Sequence, residues 1–148
     1  MKNHHTLLCG LLSLLISVIF QSKSYADVSV IVHPDNPIER LTPRQVKKLF
    51  LGRLRMMPNA STEAKIIDQA EDQPTFSHFY THIIKMKPVK LKRYRASYLF
   101  SGKGKLPTVL KHGQAVKEHI ASHSDAIGYV DSSLIDSSVK VIFPVKTE

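Results

Sequence analysis

Cysteine is nearly absent: the 148-residue chain has one, Cys9, inside an apolar N-terminal run. Everything after it lacks a disulfide, a thiolate nucleophile and a cysteine metal ligand. There is no Gly-x-Ser-x-Gly elbow and no Walker-type phosphate loop, so neither serine-hydrolase nor P-loop nucleotide chemistry is indicated. No internal repeat or low-complexity linker is present either. Acidic residues are in short supply, at 12 Asp and Glu against 21 Lys and Arg.

What is present starts with an export pattern. Lys2, His4 and His5 make a short positive start, residues 7–20 are nearly all apolar, and Ser24-Tyr25-Ala26 puts small residues where a signal peptidase inspects them. The expectation is a secretory leader over residues 1–26, cut after Ala26. An uncleaved anchor is the alternative, but the run is short for a span, which needs about 20 apolar residues. A lipoprotein leader through Cys9 is disfavoured because the apolar core follows that cysteine. Residues 27–148 then form the mature chain, not membrane-spanning and of a size for a single domain. Without Lys2 and Lys23 its balance is 19 basic against 12 acidic residues, about +7. That surplus favours small oxyanions, acidic proteins or anionic lipid surfaces; for an exported chain, nucleic acid is the least suited partner.

The β-branched run over residues 28–32 reads as a strand, closed by His33-Pro34-Asp35-Asn36-Pro37. Thr42-Pro43-Arg44-Gln45 is a helix start with a capping box, and Gly52 is placed to stop that helix. Residues 65–68 predict a short strand. A second helix is expected over residues 74–86, with Phe76, Phe79, Tyr80, Ile83 and Ile84 on its apolar stripe. A third runs from Pro88 to Ser101-Gly102, carrying Leu91, Tyr94 and Tyr98 inward, and a fourth covers residues 114–122. Strands are expected over residues 126–130 and 139–143. The fold class is α/β: a mixed or parallel sheet flanked by helices.

Several of these pieces together resemble the substrate-binding proteins of phosphate uptake transporters, in particular short single-domain relatives. They are Val30-Ile31-Val32-His33-Pro34-Asp35-Asn36-Pro37, Leu41-Thr42-Pro43-Arg44-Gln45-Val46, Leu49-Phe50-Leu51-Gly52-Arg53, Asp68-Gln69-Ala70-Glu71, Phe79-Tyr80, Phe100-Ser101-Gly102-Lys103-Gly104 and Ala126-Ile127-Gly128-Tyr129-Val130. The resemblance implies a single periplasmic-binding-protein-like lobe, a periplasmic location, no catalysis and no cofactor. It also implies a small phosphate-like oxyanion as ligand, and a membrane transporter or sensor protein as a possible partner. Full-length relatives have two lobes and are more than twice this length. Where the family's second helix starts it carries an arginine, and here that position is Phe76.

Two segments could receive an anion. The first is the start of the second helix, where Gln69, Gln73, Thr75 and Ser77 supply donors beside unpaired backbone N–H groups. Glu71 and Asp72 oppose an anion there, and capping by Asp72 or Gln73 is the plainer use of the turn. The second is Ser101-Gly102-Lys103-Gly104-Lys105, where two glycines allow successive N–H groups to converge and the lysines add charge; a glycine stop and a solvated basic loop is the plainer use. The bases Lys85, Lys87, Lys90, Lys92, Arg93 and Arg95 read as the wet face of the third helix, or as a docking patch for an acidic partner. His78/His82 and His119/His123 have the i, i+4 spacing of zinc ligands, but neither pair has an obvious third ligand. The first pair is expected to face solvent. The second sits where protonated histidine suits a helix C-terminus. Asp68, Glu71 and Asp72 could form an acid–base set, although adjacent acids at a helix start more often cap it.

Overall fold

The computed structural model describes residues 27–102 and 104–144. The expected leader, residues 1–26, and Lys103 lie outside the described residues. Five strands form one mixed sheet in the order β3-β2-β4-β1-β5. β1 (Val28–Val32) is buried along its whole length, as a β-branched run without alternation requires when both sheet faces are covered. It runs antiparallel to both neighbours, β4 (Ala126–Asp131) and β5 (Lys140–Pro144). β2 (Lys65–Gln69) is parallel to β4 and to the edge strand β3 (Thr108–Leu110). The strand β3 was not expected from the sequence: three half-exposed or exposed residues leave no periodicity to read.

Helix α1 (Pro43–Phe50) begins with both halves of the Thr42–Gln45 capping box. It buries Val46, Leu49 and Phe50 and stops at Gly52, whose φ of +72° suits glycine. The expected second helix is two pieces. α2 (Pro74–His78) passes into a π-helical turn over Phe79–Ile83, closed by the Ile84 N–H donating to the Phe79 carbonyl at 3.1 Å. The wider turn brings the consecutive residues His78, Phe79 and Tyr80 all inward. His78, expected to face solvent, is therefore buried at 5% exposure, and only His82 is exposed. Gln73 holds the N-cap position of α2 without a side-chain capping bond, so neither it nor Asp72 caps as expected. Lys85, at φ +58°, ends the turn.

Helix α3 (Pro88–Phe100) buries Leu91 alone. Tyr94 and Tyr98, half-buried, donate their hydroxyls to the carbonyls of Leu51 and Gly52 at 2.8 and 2.6 Å. Those two bonds hold α3 against the end of α1. α4 (Gly113–Ser122) covers the opposite sheet face, where Val116 and Ile120 meet Ile31, Ile67, Ala126 and Val130. The larger core, on the side of α1 to α3, gathers Phe50, Phe76, Phe79, Tyr80 and Tyr129; the Phe79 and Tyr129 rings stack at 3.8 Å. Among the described residues no helix is long and apolar enough to cross a membrane.

Candidate anion-binding site

β2 and β3 run parallel, with Ile67 opposite Thr108 and Gln69 opposite Leu110. This separates the two sequence candidates. Gln69, Gln73, Thr75 and Ser77 lie at the carboxyl end of β2, whereas Ser101, Gly102 and Gly104 precede the amino end of β3. They form two places, not one.

At the carboxyl end, the Gln69 amide nitrogen donates to the Tyr129 carbonyl at 2.9 Å, and Gln69 is buried. The Gln73 amide nitrogen donates to Asp72 at 3.3 Å. Thr75 is half-buried and Ser77 exposed, while Phe76 turns into the core against Tyr80, with ring centroids 4.7 Å apart. The donors here are committed to the fold or face solvent, and Glu71 and Asp72 are exposed beside them.

At the amino end, Ser101 donates its hydroxyl to the Tyr98 carbonyl at 2.7 Å, and Gly102, at φ +66°, is the stop of α3. Gly104 lies against the Tyr98 ring, so close that a Cβ there would stand 1.8 Å from Cε1. From this contact the chain passes along a cavity of about 230 Å³. Leu49, Leu54, Ile66 and Pro107 give it apolar walls, and its rim carries Arg55, Lys65 and Lys105 against one acid, Glu63. Lys105 stands 3.9 Å from Glu63, and Lys65 pairs at 2.8 Å with Asp125, which the cavity does not include. Three cations on so small a rim favour an anion electrostatically. Arg55 and Lys65 were not singled out in the sequence, because their convergence depends on the loop after α1 folding back onto β2 through the Met56–Glu63 bridge.

A polar joint lies within the fold around Asp68 of β2. The Asp68 carboxylate is fully buried. One oxygen accepts from the Tyr129 hydroxyl at 2.5 Å and the Gln69 backbone N–H at 2.9 Å. The other accepts from the Tyr80 hydroxyl at 2.9 Å and Arg95 Nη2 at 2.5 Å. Arg95 also lies over the Tyr80 ring, 5.1 Å from its centroid. Burial, then the charge of Asp68, pushes both phenols far above their ordinary range, so they remain donors. Burial opposes the Arg95 charge, but Tyr80 and Asp68 outweigh it and raise the guanidinium overall. Arg95, expected on the wet face of α3, is thus turned inward to a buried acid. With four donors on two oxygens the carboxylate is satisfied, and it is buried whereas Glu71 and Asp72 are exposed. Its geometry is that of a clamp joining β2, β4, the π turn and α3.

The histidine pairs stack, His78 on His82 at 4.6 Å and His119 on His123 at 4.0 Å. Burial, then His82, holds His78 below the usual histidine range, with Asp27 opposing. His119 is lowered by burial, then by His123 and Lys65, with Asp125 opposing. At the end of α4, protonation of His119 is therefore disfavoured despite the helix dipole.

No family model matches the chain, and no curated protein matches it in sequence. Solved structures do. A protein assigned as a phosphate ABC transporter substrate-binding protein from Clostridium perfringens, with phosphate bound, superposes at TM-score 0.65 with 18% identity, over 79% of this chain and 44% of that one. An ABC-type phosphate transport receptor from Vibrio cholerae gives 0.66 and 16%, over 79% and 45%. PstS from Borrelia burgdorferi gives 0.61 and 13%, over 80% and 47%. The chain thus spans less than half the length of each. In fold the chain is similar to part of these phosphate-transport proteins: one mixed sheet flanked by helices.

Proposed function

We propose that the protein is an exported, non-catalytic solute-binding module that recognises phosphate or a similar small oxyanion. The observation that carries this reading is the cavity beside Gly104, rimmed by Arg55, Lys65 and Lys105 with Glu63 as its one acid. Its volume of about 230 Å³ fits a small solute rather than a nucleotide. The fold relation to phosphate-binding proteins supports the same ligand class. The satisfied Asp68 offers no open carboxylate oxygen to a substrate, which supports binding without turnover.

A folded-state ligand raises the melting temperature as its concentration passes the dissociation constant. Thermal unfolding of residues 27–148 in millimolar phosphate, at ionic strength fixed with chloride, is therefore expected to show a saturable rise. Lys105→Ala and Arg55→Ala should abolish it, and Thr75→Ala should leave it intact. A rise lost with Thr75→Ala would move the site to the carboxyl end of β2. No rise with phosphate, sulfate or similar anions would favour the second reading, an interaction or sensory adaptor that keeps the fold without the ligand. One observation favours that reading: the arginine expected in the family at position 76 is replaced by a buried phenylalanine.

A further inference from the structure

From Gln73 to Lys117 the sequence holds ten Lys and Arg and no Asp or Glu. α3 sits in the middle of that stretch and uses little of its surface for packing, with Leu91 buried and Tyr94 and Tyr98 half-buried on one side. On the opposite side Val89, Arg93, Ala96 and Phe100 recur at i, i+4, i+7 and i+11, the spacing of one helical face. All four are exposed, Val89 at 67% and Phe100 at 89%, with Leu99 beside them at 50%. Lys90 and Lys92 flank the stripe on either side, both exposed. A soluble surface does not need apolar side chains presented among bases in this way.

We infer that the outer face of α3 docks the protein on an anionic lipid surface, with Phe100 and Val89 entering the headgroup–acyl boundary and Lys90, Lys92 and Arg93 meeting lipid phosphates. Charge decides against a second copy as occupant, since the face is basic throughout and would repel itself. The apolar side chains protrude from a convex helix, and a fluid interface accepts such a face without a matching cavity. Bases on both sides of the stripe spread the charge across a plane, as anionic headgroups are spread.

The test is co-sedimentation of residues 27–148, which contain every strand and helix described above, with phosphatidylcholine vesicles and with vesicles of 70% phosphatidylcholine and 30% phosphatidylglycerol. Binding is expected only to the anionic vesicles, weakening as salt is raised. Lys90→Glu with Lys92→Glu should lower partitioning by roughly a hundredfold or more, at about fivefold for each charge removed and more for reversal. Phe100→Ser should lower it roughly tenfold without changing the melting temperature, because Phe100 supports no core. No binding to anionic vesicles overturns the inference and leaves the face to an acidic protein. Equal binding to both vesicles overturns it, and so does binding that Phe100→Ser leaves unchanged, since simple polycation adsorption would then suffice.

Discussion

Asp68 has four hydrogen-bond donors and no exposure, so its charge is tolerable only while Arg95 and the two phenols stay in place. Asp68→Asn keeps the shape and removes the charge, which leaves the Arg95 guanidinium half-buried without its counter-ion. The expected loss is about 3 kcal/mol in denaturant unfolding. Tyr129→Phe deletes one donor to the same carboxylate and should cost about 2 kcal/mol. Equal losses would mean that packing, and not charge, holds the joint. At His119 the sign of the pH effect follows from a folded-state pKa below the ordinary 6.5. The unfolded chain takes up its proton first as pH falls, so this contribution to stability is complete above 6.5 and is lost below it. His78 acts in the same direction. Melting temperatures between pH 7.5 and 5 should fall, and His119→Gln should flatten the slope. An unchanged slope in that variant would remove His119 from the account.

At the scale of elements, the attachment of α3 depends on two tyrosine hydroxyls and on a glycine across from them. A Cβ at Gly104 would overlap the Tyr98 ring, whereas one at Gly102 meets nothing within 4 Å. Gly104→Ala must therefore displace Tyr98 and break its bond to the Gly52 carbonyl, while Gly102→Ala faces only the strain of φ +66°. The expected costs are about 2–3 kcal/mol and about 1 kcal/mol. Tyrosine fluorescence should report the displacement in the first variant alone. Helix α1 was legible in the sequence down to its cap and stop, because Thr42, Pro43, Gln45 and Gly52 act on their own immediate backbone. The π turn was not legible. Phe79, Tyr80 and Ile84 fit an ordinary helical stripe, and only the sheet they pack on requires the wider turn that buries His78.

At the scale of the whole molecule, both apolar clusters and the sheet lie within residues 28–144. Residues 27–148 are therefore expected to unfold in one cooperative transition, with far-UV and near-UV signals coinciding. Separated transitions would show that the two sheet faces melt independently. The chain spans less than half of each solved structure it resembles.

The sequence by itself determined the class of the fold, four of its five strands, the capped first helix, and the segregation of charge that makes residues 73–117 basic. These follow from local preference and from counting, which need no knowledge of what lies across the sheet. Only the tertiary structure decided that the two anion candidates stand at opposite ends of the parallel strands, that Arg95 turns inward to Asp68, and that Arg55, Lys65 and Lys105 share one rim. The ion pair joins residues 27 positions apart, and Lys105 reaches the rim 50 positions after Arg55 and 40 after Lys65. Such meetings are set by strand pairing and core burial acting together, and no local pattern encodes them.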